Sequence, residues 1–234
     1  KYCYQKNMKN ILVTGGAGYI GSHIVEKLVS LKKKIIIVDN LSTGYKKLVN
    51  KKTKFYKKNI LNIGEVKKII KKHEIDSIIH LAGSLSINIG ERYPKRYYRN
   101  NVIGTQHLLK ACEQSKIKNF LFSSSAAVYK DGLYKVNESS KLKPKSVYGK
   151  TKLKAENLIK KRCKEKKINY GILRYFNVVG ASPSGKIGLI NKGGHLFKNF
   201  SAEILKKKPI FKIFGKNYKT PDKTTIRDYI HVYD

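Results

Sequence analysis

The sequence predicts an α/β fold in which a Rossmann-type, doubly wound parallel sheet is followed by part of a smaller C-terminal domain. Short apolar segments rich in β-branched residues recur along the chain, and amphipathic segments with helical spacing lie between them. A glycine-rich turn directly follows the first apolar segment. Strands that alternate with helices in this way form a sheet with helices on both faces.

Continuous apolar segments indicate parallel strands that are buried on both faces. The predicted strands are Ile11–Thr14, Ile35–Val38, Ser77–Leu81, Phe120–Ser123 and Tyr170–Tyr175. Apolar residues at helical spacing predict helices between them, beginning near Ile20, Val66 and Leu153. In such a sheet the ligand crevice lies beyond the carboxyl ends of the strands, so we expect functional residues there.

The first predicted strand leads into a turn typical of dinucleotide binding. Gly15 permits the tight turn, Gly18 lets the backbone approach a pyrophosphate, and Gly21 allows the following helix to pack closely on the strand. Asp39 ends the second predicted strand with no arginine beside it, so its carboxylate can bind the adenosine ribose. This arrangement predicts a site that prefers NAD to NADP, because the 2′-phosphate of NADP would meet an anion. The alternative is a merely structural turn.

The alternation of strands and helices ends at Asn177. Residues 180–194 are rich in Gly, Ser and Pro, and the pattern then predicts a helix over His195–Lys206 and a strand over Ile210–Phe214. This change indicates a second, smaller domain. We expect three parts: an upstream extension before the single methionine (1–7), an NAD-binding Rossmann domain (8–177) and part of a substrate-binding domain (178–234).

Tyr148 and Lys152 lie four residues apart in a predicted helix, so both project from one face. Such pairs arise by chance in a lysine-rich chain, but here a serine cluster, Ser123 to Ser125, ends a strand at the edge of the predicted crevice. A neighbouring ammonium and a cationic nicotinamide would lower the phenol pKa from about 10 toward working pH. We therefore predict that Tyr148 is a general base. The alternative is a surface pair on an exposed helix.

The chain is strongly basic, with 51 Lys and Arg against 15 Asp and Glu and a formal net charge of +36. A charge of this size suits a nucleic-acid binder. The excess is almost entirely lysine in scattered short runs, however, whereas base-reading surfaces favour the arginine fork. We interpret the charge as a solvated surface and expect no nucleic-acid partner.

Cysteine and hydropathy patterns predict a cytoplasmic protein. Cys3, Cys112 and Cys163 lack the spacing of a zinc site or a disulfide framework, so we expect no metal. No apolar stretch approaches the roughly 18 residues of a membrane span. The N-terminus also lacks the apolar core of a signal peptide. We therefore expect no membrane partner.

Further motifs recur along the chain in a fixed order: Asp39-Asn40-Leu41, Leu81-Ala82-Gly83, Asn100-Asn101, Ser123 to Tyr129, Tyr148 to Lys152, Leu173 to Asn177 and Ile226 to Val232. With the glycine turn, they resemble the UDP-glucose 4-epimerases, a family of extended short-chain dehydrogenases/reductases, from Met8 to Asp234. The resemblance implies an NAD-dependent nucleotide-sugar 4-epimerase, an isomerase that acts as a homodimer on UDP-sugars. It interconverts UDP-galactose and UDP-glucose with tightly bound NAD.

The resemblance also implies a mechanism. Ser125 forms a hydrogen bond with the sugar 4-hydroxyl. Tyr148 removes the proton of that hydroxyl while the C4 hydride passes to NAD. The keto sugar then turns its other face and receives the hydride back. Lys152 helps to fix the cofactor.

The implied contacts fall into two sets. The cofactor set comprises Gly15, Gly18, Tyr19, Ile20 and Gly21 at the pyrophosphate, Asp39 and Asn40 at the adenosine ribose, Asn59 and Ile60 at the adenine, Leu81, Ala82 and Gly83 along the cofactor, Asn100 beside Lys152, and Phe176 at the nicotinamide. The substrate set, at the uridine diphosphate, comprises Asn177, Ile213, Phe214 and Arg227.

The chain departs from the family pattern at several positions. Asn59 replaces a usual aspartate, although its amide oxygen can still accept a hydrogen bond from adenine. Gly194-His195-Leu196 replaces a paired asparagine, so His195 is either a substrate contact or an ordinary helix-start histidine. The chain ends at Asp234, where the family continues for roughly another third. We therefore expect a C-terminally truncated protein with little or no activity.

Other functions stay open. The nearest alternative is another nucleotide-sugar enzyme of the same superfamily, such as a 4,6-dehydratase or decarboxylase. Dehydration is disfavoured, because Ser125 is followed by Ala126 and Ala127 rather than by an acid and a base. An inactive NAD-binding fragment stays open, because composition does not exclude it. The sequence does not decide whether N-acetylated sugars are accepted.

Overall fold

The computed structural model describes residues 8–113, 115–132, 135–190, 195–213, 215 and 217–234. The chain divides into two compact units, the first ending at Tyr175 and the second spanning Phe176–Asp234. The predicted upstream extension, residues 1–7, lies outside the described residues.

The first unit alternates strands and helices. Its strands are β1 (Asn10–Thr14), β2 (Lys34–Asp39), β3 (Lys54–Lys57), β4 (Ser77–His80), β5 (Asn119–Ser123) and β6 (Asn169–Leu173). Its α-helices are α1 (Tyr19–Ser30), α2 (Ile63–Lys72), α3 (Ile87–Arg92), α4 (Pro94–Tyr97), α5 (Gly104–Cys112) and α6 (Val147–Glu165). A π-helical segment, Tyr98–Ile103, joins α4 to α5. Over the described ranges, no helix has both the length and the apolar character needed to cross a membrane.

The six strands form one parallel sheet in the order β3-β2-β1-β4-β5-β6. The strand order reverses between β1 and β4, which is where ligands bind in doubly wound sheets. The predicted Rossmann-type fold is therefore confirmed. The sequence did not predict β3, because its Lys-Phe-Tyr-Lys segment lacks the apolar pattern of a central strand and lies at the sheet edge.

Side chains alternate across the sheet and build two hydrophobic layers. Leu12 and Ile36 belong to the layer that α2, α5 and α6 cover, together with Phe120 of β5. Ile11 and Val13 belong to the other layer, which includes Val25 of α1. Helices on both faces explain why the strands are continuously apolar.

The second unit contains β7 (Asn177–Val179), α7 (Leu196–Ile204) and β8 (Tyr229–His231). The two strands pair in parallel. The predicted helix over His195–Lys206 is therefore present, but the predicted strand over Ile210–Phe214 is wrong for residues 210–213, and Phe214 lies outside the described residues. Ile210 and Ile213 are 67% and 66% exposed, and the described part of this segment pairs with neither β7 nor β8.

Helix α1 packs unusually close to the turn that precedes it. A Cβ atom at position 21 would lie 2.2 Å from the carbonyl oxygen of Gly15 and 2.8 Å from the Cα of Gly16. Both neighbours are backbone atoms, so neither can move aside like a side chain. Only glycine at position 21 allows this approach.

A pair of glycine-to-alanine substitutions tests this packing. Gly21→Ala should lower the free energy of unfolding by about 1–3 kcal/mol, the usual cost of overpacking. Gly64→Ala in the first turn of α2 should raise it by up to about 1 kcal/mol, because alanine is the better helix former and meets no atom closer than 3.7 Å. Urea unfolding followed by circular dichroism measures both. Equal effects of the two substitutions would contradict the close approach at Gly21.

Candidate active site

The carboxyl ends of β1, β2, β4 and β5 lie along one edge of the sheet, since these strands are parallel and adjacent. Gly15 follows β1, Asp39 ends β2, Leu81 follows β4 and Ser125 follows β5. The fold therefore brings together the predicted cofactor residues and the predicted catalytic serine at the crevice edge.

The glycine turn leaves a helix N-terminus uncapped. Gly15 has φ 76° and donates its N–H to Val38 O at 2.9 Å, while Gly18 donates to Gly15 O at 3.1 Å. No side chain caps α1 at Gly18, whereas Asn62 caps α2 and Ser146 caps α6. The first-turn N–H groups and the positive end of the helix dipole suit a phosphate at this position.

Asp39 links the end of β2 to the glycine turn. Its Oδ2 accepts a hydrogen bond from Ala17 N at 3.0 Å, and its Oδ1 accepts one from Leu41 N at 2.8 Å. Burial raises the pKa of this carboxyl, and the two backbone hydrogen bonds oppose that rise. Each carboxylate oxygen keeps a further lone pair, so the group can still accept a ribose hydroxyl. Leu41 has φ 59°, a conformation rare for a branched side chain, beside this carboxylate.

The other predicted cofactor residues are held by local contacts. Asn40 Oδ1 accepts from Ser42 N at 3.0 Å. Asn59 Oδ1 accepts from Leu61 N at 2.9 Å, so the oxygen predicted to meet adenine already serves its own turn. Ile60 is a core side chain that packs against Gly104.

Tyr19 and Ile20 form the first turn of α1, beside the glycine turn. Burial raises the pKa of the Tyr19 phenol to about 12, so this group stays neutral.

Two consecutive asparagines in the π-helical segment both reach Ser84. Asn100 Nδ2 donates to Ser84 Oγ at 3.0 Å. Asn101 Oδ1 accepts from Ser84 N at 2.7 Å, and its Nδ2 donates to Ser84 O at 3.2 Å and to Thr151 Oγ1 at 3.0 Å. Asn101 thus ties the loop after β4 to helix α6. A Cβ atom at Gly83 would lie 3.1 Å from Asn101 Oδ1 and 3.6 Å from Lys152 Nζ, so this loop passes close to the lysine.

A buried histidine stabilises the same asparagine. His80 Nδ1 lies 2.8 Å from Thr14 Oγ1, and its Nε2 lies 2.9 Å from Thr105 Oγ1. Because Thr105 donates to Asn101 O at 2.7 Å, Nε2 carries the proton and Nδ1 accepts from Thr14. Burial, with a smaller contribution from Lys152, lowers the pKa of His80 to about 3 and keeps it neutral. Sequence reasoning missed both His80 and Asn101.

The predicted catalytic residues meet at helix α6. The Ser125 side chain lies beside the Tyr148 phenol, with Tyr175 and Tyr97 nearby. Burial raises the pKa of Tyr148 to about 12, and Ser125 opposes that rise. The expected fall of this pKa depends on the cationic nicotinamide as well as on Lys152, so it stays a prediction for the cofactor-bound site. Lys152 Nζ is 5.9 Å from the centroid of the Tyr148 ring.

Lys152 is 2% exposed, which rules out a surface pair on an exposed helix. Its Nζ donates to Ser123 O at 2.7 Å and lies 4.8 Å from the centroid of the Phe122 ring. Burial lowers the pKa of Lys152 to about 8, and the Glu156 carboxylate opposes this effect. The arrangement can therefore hold a sugar hydroxyl and move its proton.

In the second unit, two predicted substrate residues lie near the starts of neighbouring strands. Asn177 begins β7, and its Nδ2 donates to Asp228 O at 2.9 Å. Arg227 precedes that residue and is exposed. The two side chains thus share one end of the small sheet.

The remaining predicted contacts of this unit are less closely grouped. His195 Nε2 lies 3.0 Å from Val178 O, and its buried Nδ1 has no hydrogen-bond partner among the described residues. Phe176 and Ile213 are exposed. Phe214 lies outside the described residues.

Residues 11–234 match the family model described as the NAD dependent epimerase/dehydratase family. The chain belongs to this family. A UDP-glucose 4-epimerase from Lactobacillus helveticus is 40% identical over 228 residues, covering 96% of this chain and 68% of that relative. A solved UDP-glucose 4-epimerase from Brucella ovis in complex with NAD is 36% identical with a TM-score of 0.89, over 96% of this chain and 69% of that one. The Bifidobacterium longum UDP-glucose 4-epimerase, solved with NAD+ and UDP, is 31% identical with a TM-score of 0.86, over 96% and 70%.

Family membership confirms the resemblance seen in the motifs. The family is NAD dependent by its description, so the predicted cofactor and the predicted epimerase class of enzyme are confirmed as well. The uncapped N-terminus of α1 and the Asp39 carboxylate fit a dinucleotide at the carboxyl edge of the sheet.

The lowered pKa of Lys152 predicts a pH-dependent contribution to stability. This amine titrates at its ordinary value of 10.5 when unfolded and near 8 in the fold. Between these values the unfolded chain binds more protons, so the contribution of Lys152 to the free energy of unfolding rises with pH. The parent should gain up to about 3 kcal/mol relative to Lys152→Met across this window. Urea unfolding of both proteins measures it, and a difference that does not change with pH contradicts the assignment.

Proposed function

We propose that this chain is a UDP-glucose 4-epimerase that interconverts UDP-galactose and UDP-glucose with tightly bound NAD. The observation that carries the proposal is the placement of Tyr148 beside Ser125, with the buried Lys152 bound to the carbonyl oxygen of Ser123, at the edge where the fold binds dinucleotides. Relatives that carry this name match nearly the whole chain. The assignment of the first unit to NAD and of the second to the substrate belongs to the same proposal.

The chain's own residues would hold the cofactor. The α1 N-terminus, with Gly15, Gly18 and the first-turn N–H groups, binds the pyrophosphate, and Asp39 accepts hydrogen bonds from the adenosine ribose. Lys152 of α6 and Asn100 of the π-helical segment both lie near the loop that follows β4. Bound NAD supplies a hydride acceptor for C4 of the sugar.

Tyr148 and Ser125 handle the proton of the sugar 4-hydroxyl. Ser125 orients that hydroxyl, and the Tyr148 oxygen takes its proton when C4 is oxidised. Burial raises the phenol pKa to about 12 in the chain alone, so the base form of Tyr148 needs positive charge at the site, which the buried Lys152 ammonium and the cationic nicotinamide of bound NAD would supply together. Tyr148 would begin as the phenolate, become the neutral phenol when C4 is oxidised and return the proton when C4 is reduced. The proton ends where it began, and only the configuration at C4 changes.

The second unit would anchor the nucleotide. The planar guanidinium of Arg227 matches a diphosphate, and Asn177 lies at the adjacent strand end. By resemblance, Ile213 and Phe214 also contact the uridine diphosphate, and Phe176 borders the nicotinamide. His195, which departs from the family pattern, is either a further substrate contact or an ordinary helix-start histidine. Firm binding of the diphosphate lets the keto sugar turn without leaving the site. The cytoplasmic location and the absence of a nucleic-acid partner stay predictions.

Replacement of the phenol tests the proposed function. The chain extended to the length of its curated relatives should convert UDP-galactose to UDP-glucose without added NAD, measured by proton NMR of the products. Tyr148→Phe should lower turnover by about 10² to 10⁴-fold while NAD stays bound, because the general base is lost. Tyr170→Phe, on the exposed part of β6, is the matched control and should retain activity. A 4-keto-6-deoxy product, or full activity of Tyr148→Phe, would contradict the proposal.

We also propose that the chain forms a homodimer through the helices that contain Asn100–Cys112 and Tyr148–Cys163, as the resemblance implies. The outer faces of α5 and α6 enclose a cavity of about 160 Å³ lined by apolar and long charged side chains, a surface that a second copy could cover: Gln106, Leu109, Leu158, Lys161, Arg162 and Glu165. Sedimentation velocity over a wide concentration range should show a dimer. A monomer at every concentration would refute this interface.

A further inference from the structure

One buried carboxylate near the site has no role in the mechanism above. Glu156 is 0% exposed and lies in α6, one turn after Lys152. An ionised carboxylate away from water destabilises a fold unless charged or hydrogen-bonding groups surround it. The partners of Glu156 therefore indicate what it is there to hold.

Arginine and serine satisfy both oxygens of this carboxylate. Arg174 Nε donates to Oε1 at 3.0 Å, and Arg174 Nη2 donates to Oε2 at 2.6 Å. The Ser124 hydroxyl donates to Oε1 as well. Lys160 Nζ lies 4.0 Å from Oε2 at the outer side. The two-pronged arginine contact fixes the orientation of the carboxylate as well as its charge.

Arg174 is itself immobilised. Its Nη1 lies 3.3 Å from Tyr129 Oη and 3.4 Å from Glu138 O, and its guanidinium carbon lies 5.1 Å from the centroid of the Tyr129 ring. The Glu156 carboxylate raises the pKa of Arg174, so the guanidinium stays charged. Helix α6 is thereby connected to the chain just after β6 through a rigid ion pair.

Helix α6 holds two consecutive residues at the end of β5. Lys152 donates to the carbonyl oxygen of Ser123 at 2.7 Å, and Glu156 accepts from the hydroxyl of Ser124. The next residue, Ser125, lies beside the Tyr148 phenol and lowers its pKa. Its position therefore depends on two neighbours that the same helix fixes one turn apart.

Glu156 also acts on the charge of Lys152. It raises the pKa of that amine, against the stronger lowering by burial. Among the described residues, the titratable groups around Lys152 come from three elements: Tyr148 and Glu156 on α6, neutral His80 at the end of β4, and Arg174 after β6, which is paired with Glu156. The carboxylate is the group among these that favours the ammonium form.

We propose that Glu156 is a positioning residue of this site, which with Arg174 fixes Ser124 so that Ser125 meets Tyr148, and whose negative charge keeps Lys152 protonated. Its effect on turnover rests on the proposed function. The structural and electrostatic parts are measurable without turnover.

Glu156→Gln removes the charge and keeps the shape of the side chain. Glu65→Gln is the matched control in α2, where Glu65 forms a solvent-accessible pair with Lys58. We expect Glu156→Gln to lower kcat by about 10²-fold through misplacement of the serine, with NAD still bound. The alkaline limb of its kcat against pH profile should move to lower pH, because Lys152 loses its proton more readily. A merely structural role would lower kcat without moving the profile, and that outcome would overturn the electrostatic part.

A titration separates this inference from the proposed function. In protein labelled with ¹³Cε-lysine, the Lys152 resonance is identified by its loss in Lys152→Met. Its titration midpoint should fall in Glu156→Gln and stay unchanged in Glu65→Gln. If the chain extended to the length of its curated relatives has no epimerase activity, the proposed function is refuted, and the titration still decides the inference. Equal midpoints in the parent and Glu156→Gln would overturn it.

Ser124→Ala provides a second variant in case Glu156→Gln does not fold. It removes one donor to the carboxylate and leaves every charge in place. We expect faster amide hydrogen exchange in the peptide that contains Ser123 to Ala127, with the Lys152 midpoint unchanged. Exchange as slow as in the parent would overturn the positioning role.

Discussion

The hydrogen bond from the Lys152 ammonium to the Ser123 carbonyl is the interaction on which the site depends. A buried ammonium must find an acceptor, and here the acceptor is the last residue of β5. This contact fixes the height of α6 against the sheet, while Ala155 and Ile159 fix its rotation by entering the core. Tyr148 then lies opposite Ser125, because it precedes Lys152 by about one turn. The N-terminal part of this helix therefore carries Tyr148 and Lys152, and the later turns carry the residues that pack in the core.

A chain of polar groups supports that contact from the other side. Hydrogen bonds among five polar residues connect β1, β4, α5 and α6, and each of the five has a partner within this set: Thr14, His80, Thr105, Asn101 and Thr151. A buried network of this kind destabilises the fold when some of its groups lack partners. When every group has a partner, the network favours one arrangement of the core. An apolar core alone would tolerate small shifts between these elements. The network permits one alignment, which is the alignment that the catalytic serine and tyrosine require.

The sequence predicted what local pattern controls. Continuous apolar segments located five of the six strands of the parallel sheet, and the glycine spacing located the turn before α1. The edge strand β3 escaped because Lys54 and Lys57 interrupt its apolar character, and Ile210 was wrongly assigned to a strand because a local pattern cannot show whether a sheet is within reach. The roles of Asn101 and Glu156 depend on partners 50 and 18 positions away in the chain, which spacing does not show. The raised pKa of Tyr148 likewise follows from burial, a property of the fold.

The π-helical segment Tyr98–Ile103 constrains how this part of the chain can change over time. Each residue of an α-helix advances the chain by about 100° around the helix axis. Insertion or deletion of one residue here would therefore rotate α4 relative to α5 by about that angle. The ring of Tyr97 would leave Gly90, and the two asparagines would no longer face Ser84 together. Point substitutions at its exposed positions are compatible with the fold, whereas a change of length is not. Descendants of this sequence should therefore vary in residue type along the segment and keep its residue count.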